Sequence, residues 1–347
     1  MDLLTVGWND RVFRAFDPHR LRGLEPGRVV AVHRGWCDVA LAGGVDTARV
    51  PSRLFHLEGG APGIPAVGDW IAVHPRTASQ PYVVAEILPR ETRLCRRQPG
   101  RKTSEQVIAA NITRVAIVMA LSEDYNLNRL ERYLVVAHES GAQPVVILTK
   151  SDLCDDVREA TADVQANAGE SVPVIAISVP KRKGLAKLKP IFSKGETVAL
   201  VGSSGAGKST LLNHLYGEEL MATQEVREND GKGRHTTSHR QLVALPGGCL
   251  LIDNPGVREV GAWEGEEEAV ADTFEDIFAL AHSCKFRDCK HVSEPGCAVQ
   301  AAIDEGDLTL SRLDNFRALQ GESVAVRKNR AEAQRIQTRQ RLRKRGR

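Results

Sequence analysis

Gly202-Ser203-Ser204-Gly205-Ala206-Gly207-Lys208-Ser209, followed by Thr210, has the spacing G-x-x-x-x-G-K-[ST] of a P-loop. Glycines at these positions let the backbone curl until successive N–H groups face a phosphate, and the start of a helix adds partial positive charge. Lys208 is the residue to reach the β- and γ-phosphates, and the Ser209 hydroxyl is the one to ligate Mg²⁺. The flanks suit this chemistry. Thr197 to Val201 reads as a buried strand leading in, and Ser209 to Leu215 as the first turns of a helix leading out. The expected ligand is a nucleoside triphosphate.

Earlier in the chain, Thr149-Lys150-Ser151-Asp152 follows one apolar strand and Ser178-Val179 follows the next. Ligands of open α/β sheets sit outside the carboxyl ends of the strands, so both segments can face the same nucleotide. The pair resembles the guanine-specificity elements N-K-x-D and S-A of GTPases. A carboxylate at 152 accepts from both N1–H and the exocyclic amine of guanine, whereas adenine presents an acceptor at N1 and would leave it unpaired. The Lys150 stem can lie along the base, and backbone N–H groups near Val179 can meet O6. Thr149 stands where such boxes carry Asn, which predicts loss of an amide that bridges base and phosphate loop.

After the P-loop come Gly231-Lys232-Gly233-Arg234-His235-Thr236-Thr237 and then Asp253-Asn254-Pro255-Gly256, which resembles D-x-x-G. Thr236 or Thr237 is expected to give Mg²⁺ a second protein oxygen, Asp253 to hold it through water, and the Gly256 N–H to touch the γ-phosphate. Val257 occupies the position where a water-orienting Gln often sits, and an apolar side chain cannot orient water. Hydrolysis by the chain alone is therefore expected to be slow, with His235 or a partner supplying the missing group.

A second chemistry lies nearer the C-terminus. Cys284, Cys289, His291 and Cys297 form a Cys₃His set suited to one closed, tetrahedral, structural Zn²⁺, in a stretch with few apolar residues of its own. His282 is a nearby spare. From Arg327 onward the chain carries Arg327, Lys328, Arg330, Arg335, Arg339, Arg341, Arg343, Lys344, Arg345 and Arg347 against a single acid, Glu332. Such a run is either an RNA-phosphate contact or a solvated tail.

Several kinds of element must hold these residues. Residues before about Glu25 give weak signals. Five strand-like segments follow, over 28–33, 36–41, 47–50, 69–74 and 82–88, punctuated by Gly and Pro, and they predict a small barrel of the OB kind. Few aromatics (Trp36, Phe55, Trp70, Tyr82) are available there for stacking on bases. Pro89 to Arg97 reads as a polar connection. Strands at 114–121, 143–148, 172–177 and 197–201, alternating with helices at 127–140 and 155–168, predict a parallel sheet covered on both faces. A strand at 249–252 and helices at 298–303 and 308–320 complete the reading. Apolar content of 42%, charged content of 26% and a net charge of +3 are ordinary for a globular protein, and they exclude a disordered or fibrous chain. No apolar run approaches a membrane span, and the start lacks the basic residues of a signal peptide. A cytoplasmic monomer with no membrane partner is expected.

Base-reading elements ahead of the phosphate loop and D-x-x-G behind it are the order of ordinary GTPases rotated by circular permutation. With the G-K-G-R-H-T-T stretch, D-N-P-G-V-R-E, the barrel in front and the cysteine cluster behind, the chain resembles the RsgA family over roughly Arg28 to Phe316. That resemblance implies a GTPase dependent on the small (30S) ribosomal subunit and acting late in its maturation, with rRNA contacts, one Zn²⁺, and Mg²⁺ bound with GTP. It divides the chain into an OB-like β-barrel with an N-terminal extension (1–90), a circularly permuted GTPase domain (91–261), a zinc-binding helical domain (262–326) and a basic tail (327–347). Two other readings stand beside it: a P-loop ATPase or kinase in which Thr149 to Asp152 is incidental, and an RNA-binding module whose nucleotide is only structural.

Overall fold

The computed structural model describes residues 2–56, 63–97, 105–122, 124–217, 241–253 and 267–345. Five strands, β1 (Glu25–His33), β2 (Trp36–Leu41), β3 (Gly44–Arg49), β4 (Trp70–His74) and β5 (Tyr82–Ile87), close into a barrel in the order β1-β2-β3-β5-β4, with β4 returning to β1. Only the β3–β5 pair is parallel within it. The alternating residues Val29, Val39, Leu41, Ala48, Ile71, Val73 and Val84 fill the interior. Trp70 is 3% exposed and belongs to the core, while Trp36 stays 39% exposed, so the barrel's described aromatics form no stacking ladder.

The segment before the barrel is better ordered than its sequence predicts. It contains α1 (Asp10–Arg20), capped by the Asn9 side chain, and sets the Trp8 ring 5.2 Å from Trp70. The polar stretch expected to be a plain connection is also structured. Arg93–Arg97 (β6) pairs with Glu105–Ala110 (β7) as an antiparallel hairpin, with Leu94 and Cys95 buried.

The α/β layer has strand order β10-β9-β8-β11-β13-β12, formed from β8 (Arg114–Ala120), β9 (Gln143–Thr149), β10 (Val174–Ala176), β11 (Thr197–Val201), β12 (Gln241–Ala244) and β13 (Leu250–Asp253). The first five pair in parallel as expected, but β12 is an antiparallel edge and touches β1 of the barrel through Ala31 and Gln241. Both faces of the sheet are dry. Val115, Ile117 and Met119 point to one core and Ala116 and Val118 to the other, and β11 divides its residues the same way. Helices α2 (Leu127–Glu139) and α3 (Val157–Ala168) follow β8 and β9, and α4 (Lys208–Tyr216) follows β11.

Arg28 ties these parts together. Its buried guanidinium donates to the carbonyls of Val6 (2.6 Å), Gly68 (3.3 Å) and Asn111 (3.0 Å) and to Oγ1 of Thr197 (3.2 Å), the first residue of β11. Burial lowers its pKa to about 10. The C-terminal unit comprises α5 (Glu267–Thr273), α6 (Glu275–Ala281), α7 (Ala298–Glu305) and α8 (Leu310–Arg345). Its core, which includes Phe274, Ile277, Val299, Leu313 and Phe316, takes in Val135 from the outer face of α2. The basic run expected as a separate tail continues α8 as helix to Arg345.

Candidate nucleotide site and metal centre

Strands β8, β9 and β10 run outward in one direction, and β11 then returns to the other side of β8. The carboxyl ends of β8 and β11 therefore flank a topological switch point, where open α/β sheets form their binding crevice. The turn 202–207 lies there. Gly202 has φ +146°, and a Cβ on it would stand 2.2 Å from the Val118 carbonyl oxygen, so no other residue lets the loop leave the sheet so closely. Gly207, at φ +87°, caps α4 without any side-chain bond, leaving the first N–H groups of the helix to a ligand. Lys208 folds over the turn and donates to the carbonyls of Gly202 (2.7 Å) and Ser203. Ser204, Gly205, Ser209 and Thr210 are exposed around it, and Ala206 is buried beneath.

The Thr149 box comes to the same place from β9. The buried Thr149 hydroxyl donates to the carbonyl of Ala206 at 2.6 Å, so the link between box and loop that the missing Asn amide predicts to be lost is made by a hydroxyl instead. Lys150 turns left-handed at φ +55°, and a short 3-10 turn, Ser151–Leu153, presents Asp152. The Ser151 N–H bonds the carbonyl of Ile177 at 3.1 Å, locking the box to the end of β10. Ser178 is fully buried, and its oxygen accepts from the Lys181 N–H at 3.2 Å. The Ser178 hydroxyl, followed by Asp152's own backbone N–H, holds the Asp152 carboxyl below the usual carboxylate range. Val179 is half-buried beside it. One fixed, ionised acceptor thus shares an edge of the sheet with the phosphate-type loop.

Asp253 ends β13, the neighbour of β11 on its other side. His235, Thr236, Thr237 and Gly256 lie outside the described residues. A different polar cleft, of about 470 Å³, opens at the opposite, amino ends of β8, β9 and β11, lined by Arg11, Glu91, Asn111, Arg114 and Glu196 among others. None of the expected nucleotide-site residues lines it.

One contact of the loop carries no sequence motif. Ser203 donates its hydroxyl to the carboxylate of Asp124, in the segment after β8, and the other oxygen of that carboxylate takes Arg129 at 2.6 Å. Sequence reasoning missed Asp124. Its only signal is a carboxylate at the carboxyl end of a strand ahead of an Asn-capped helix.

The metal-type cluster is assembled from the turn after α6 and the start of α7. Ligand atoms of Cys284, Cys289, His291 and Cys297 lie within 4.8 Å of one another, and His282 is not part of the group. The Cys284 and Cys297 sulfurs are 3.9 Å apart, and each is 3.6 Å and 3.5 Å respectively from Nδ1 of His291. A tetrahedral ion with bonds of about 2.3 Å to sulfur and 2.0–2.1 Å to nitrogen requires edges of about 3.8 Å and 3.6 Å, so the group could hold one metal ion. Burial works against ionisation of Cys284, but the backbone N–H groups of Ala298 and Val299 draw its thiol below the usual value. The His291 backbone carbonyl accepts from the side chains of Gln300 and Arg317, which ties the ligand turn to α7 and α8.

Comparison with known proteins decides the family. The family model described as RsgA GTPase matches residues 87–263. The small ribosomal subunit biogenesis GTPase RsgA of Opitutus terrae is 45% identical over 332 residues, covering 93% of this chain and 90% of that protein. The chain belongs to the RsgA GTPase family. The RsgA of Streptomyces coelicolor is 44% identical, over 93% of this chain and 87% of its own length. Among solved structures, YjeQ from Thermotoga maritima superposes with a TM-score of 0.62 at 24% identity, covering 87% of this chain and 99% of that one. YloQ, described as a circularly permuted GTPase, gives 0.58 at 25% identity, with 88% and 96% covered. As an RsgA-family member the chain is a GTPase, a hydrolase, with its motifs in permuted order. Among the described residues no helix is long and apolar enough to cross a membrane.

Proposed function

We infer that this chain hydrolyses GTP while bound to the small ribosomal subunit, as a late assembly factor that leaves the subunit after hydrolysis. The observation that carries the reading is the Thr149–Ala206 bond, which puts Asp152, held ionised by Ser178, beside the turn that ends in Lys208. In this reading Asp152 selects guanine, with Lys150 and Ser151 shaping the base pocket and backbone near Val179 meeting O6. The 202–210 loop receives the phosphates, and Lys208 exchanges its loop carbonyls for phosphate oxygens. Ser209, Thr236 or Thr237 and, through water, Asp253 would hold Mg²⁺, which would supply positive charge to the phosphates. Val257 orients no water, so turnover of the chain alone is slow and rises when the subunit, or His235, supplies that group.

Zinc is the ion that best suits three thiolates and an imidazole closed by protein, and its role is to fold the C-terminal unit. The barrel (1–90) and zinc unit (262–326) face rRNA, joined by the basic run (327–347), with the GTPase domain (91–261) between them. The chain acts as a cytoplasmic monomer. The subunit reading draws its support from relatives named as small ribosomal subunit biogenesis GTPases. The test is hydrolysis of GTP and of ATP with and without purified small subunits. The expected result is GTP turnover raised at least tenfold by the subunit and little ATP turnover. Equal use of both nucleotides would overturn guanine selection, and turnover indifferent to subunits would overturn the partner.

A further inference from the structure

We propose that Asp124 is a positioning residue of the nucleotide site, tying the phosphate loop through Ser203 to helix α2 and thereby to the C-terminal unit. The proposal rests on the reading that the 202–210 loop binds phosphates. Ser203 is a node of that loop. Its carbonyl receives the Lys208 ammonium and the Ala206 N–H, and its hydroxyl goes to Asp124. A shift of Ser203 therefore moves both the lysine that meets phosphate and the backbone that cradles it.

A carboxylate this close to an anion site would ordinarily oppose phosphate. Arg129 answers that. It pairs with the carboxylate at 2.6 Å, and the same guanidinium also donates to the Asp124 carbonyl. The backbone N–H of Arg129 is in turn the group capped by Asn126, at 2.8 Å, so the pair is built on the first turn of α2. Asp124 accordingly works as a charge-compensated acceptor clamped between loop and helix.

The rest of α2 is held from two sides. Leu130 and Leu134 pack on the sheet, while the next stripe of the helix faces the C-terminal unit. On that stripe Glu131 takes Arg312 at 2.7 Å, and Arg132 pairs with both oxygens of Glu322 at 2.8 and 3.0 Å. A path of charge-assisted bonds and one rigid helix thus runs from Ser203 to α8 without passing through the segment after D-x-x-G. Coupling needs such a physical element, and the helix provides it.

The test uses the full chain and a fluorescent GTP analogue, with Asp124→Ala, Asp124→Asn, Ser203→Ala and the Asp124→Ala/Ser203→Ala double variant. Each alanine change should weaken binding about tenfold, the loss of one charge-assisted hydrogen bond. The double variant should lose about tenfold in total, no more than either single variant and not a hundredfold, because both changes remove the same bond. Asp124→Asn keeps an acceptor for Ser203 and should recover part of the loss, which also guards against a misfolded alanine variant. In hydrogen exchange, saturating GTP should slow the 310–320 segment in the native chain and not in Asp124→Ala. Binding within twofold of native in Asp124→Ala, multiplicative losses in the double variant, or the same GTP-dependent slowing in both proteins would overturn the proposal. If instead the native chain fails to bind the analogue, or Lys208→Ala binds it as well as native, the phosphate-loop reading itself has failed.

Discussion

A hydroxyl has one proton to give, and Thr149 gives it to the Ala206 carbonyl in a buried setting. Replacing it with the isosteric valine leaves that carbonyl without a donor, which costs about 1–3 kcal/mol. Thr149→Val should therefore lower the melting temperature and weaken GTP about tenfold, measured by thermal unfolding with and without nucleotide. Asp152 sets a different limit. In the proposed role Asp152 meets guanine in its charged form, and the Ser178 hydroxyl holds its pKa below the usual range. The charged form is thus kept above that depressed value and lost only as pH falls through it. The preference for GTP over ATP, which share the same phosphates, should stay level as pH drops from neutral to about 5, and decline only below the ordinary carboxylate value of about 4. Ser178→Ala should move that decline to higher pH. A decline unmoved by the substitution would show that some other group controls it.

Between elements, the seam of α2 with the C-terminal unit depends on a buried ion pair. Glu131 is fully buried, and desolvation pushes its pKa up even though Asn315 and Arg312 pull it down. Arg312 spans the seam, reaching Asp276 at 2.7 and 2.8 Å and stacking over Phe274 at 4.9 Å. Arg312→Met leaves a buried carboxylate uncompensated, and unfolding in denaturant should show a loss of about 3–5 kcal/mol. Adding Glu131→Gln should return part of it. Nothing in the sequence marks 131 and 312 as partners, since they are far apart in the chain and each is a charge set among the apolar residues of its own stripe, Val135 in one and Phe316 in the other. The sheet, by contrast, was legible because its central strands are dry on both sides and read as unbroken runs, such as Val115–Ala120 and Val198–Val201. The pairing of β6 with β7 was not, because Arg93, Arg96 and Arg97 mask two buried residues in a short strand. In α1 the apolar residues are few and Pro18 sits inside the helix. The Cys₃His set was readable because fixed geometry demands fixed spacing, and the proposed phosphate loop and base box carry spacing of the same kind. Asp124 was not readable, because a single carboxylate answers to no spacing rule.

Over the whole molecule, Arg28 joins barrel to β11 and α2 joins the nucleotide edge to α8, so all parts are fastened to one sheet. The far end of α8, residues 327–345, carries nine Lys and Arg against Glu332, and Arg347 follows in the sequence as a tenth. A helix loses less backbone freedom on binding than a disordered tail would, so its charge can act on a partner with little ordering cost. For an RNA partner that action has a signature. Each phosphate neutralised adds about 0.7–0.9 to the slope of log affinity against log salt. If about half of the ten basic side chains engage, a chain ending at Val326 should show a slope shallower by about 4 when titrated onto small subunits. It should bind more weakly at low salt and converge toward the full chain as salt rises, with its basal GTPase rate retained. Weaker binding at an unchanged slope would mean that the run acts by shape rather than by charge. Unchanged affinity at every salt would remove the run from the interface altogether, leaving the barrel and the metal-type unit to carry the contact.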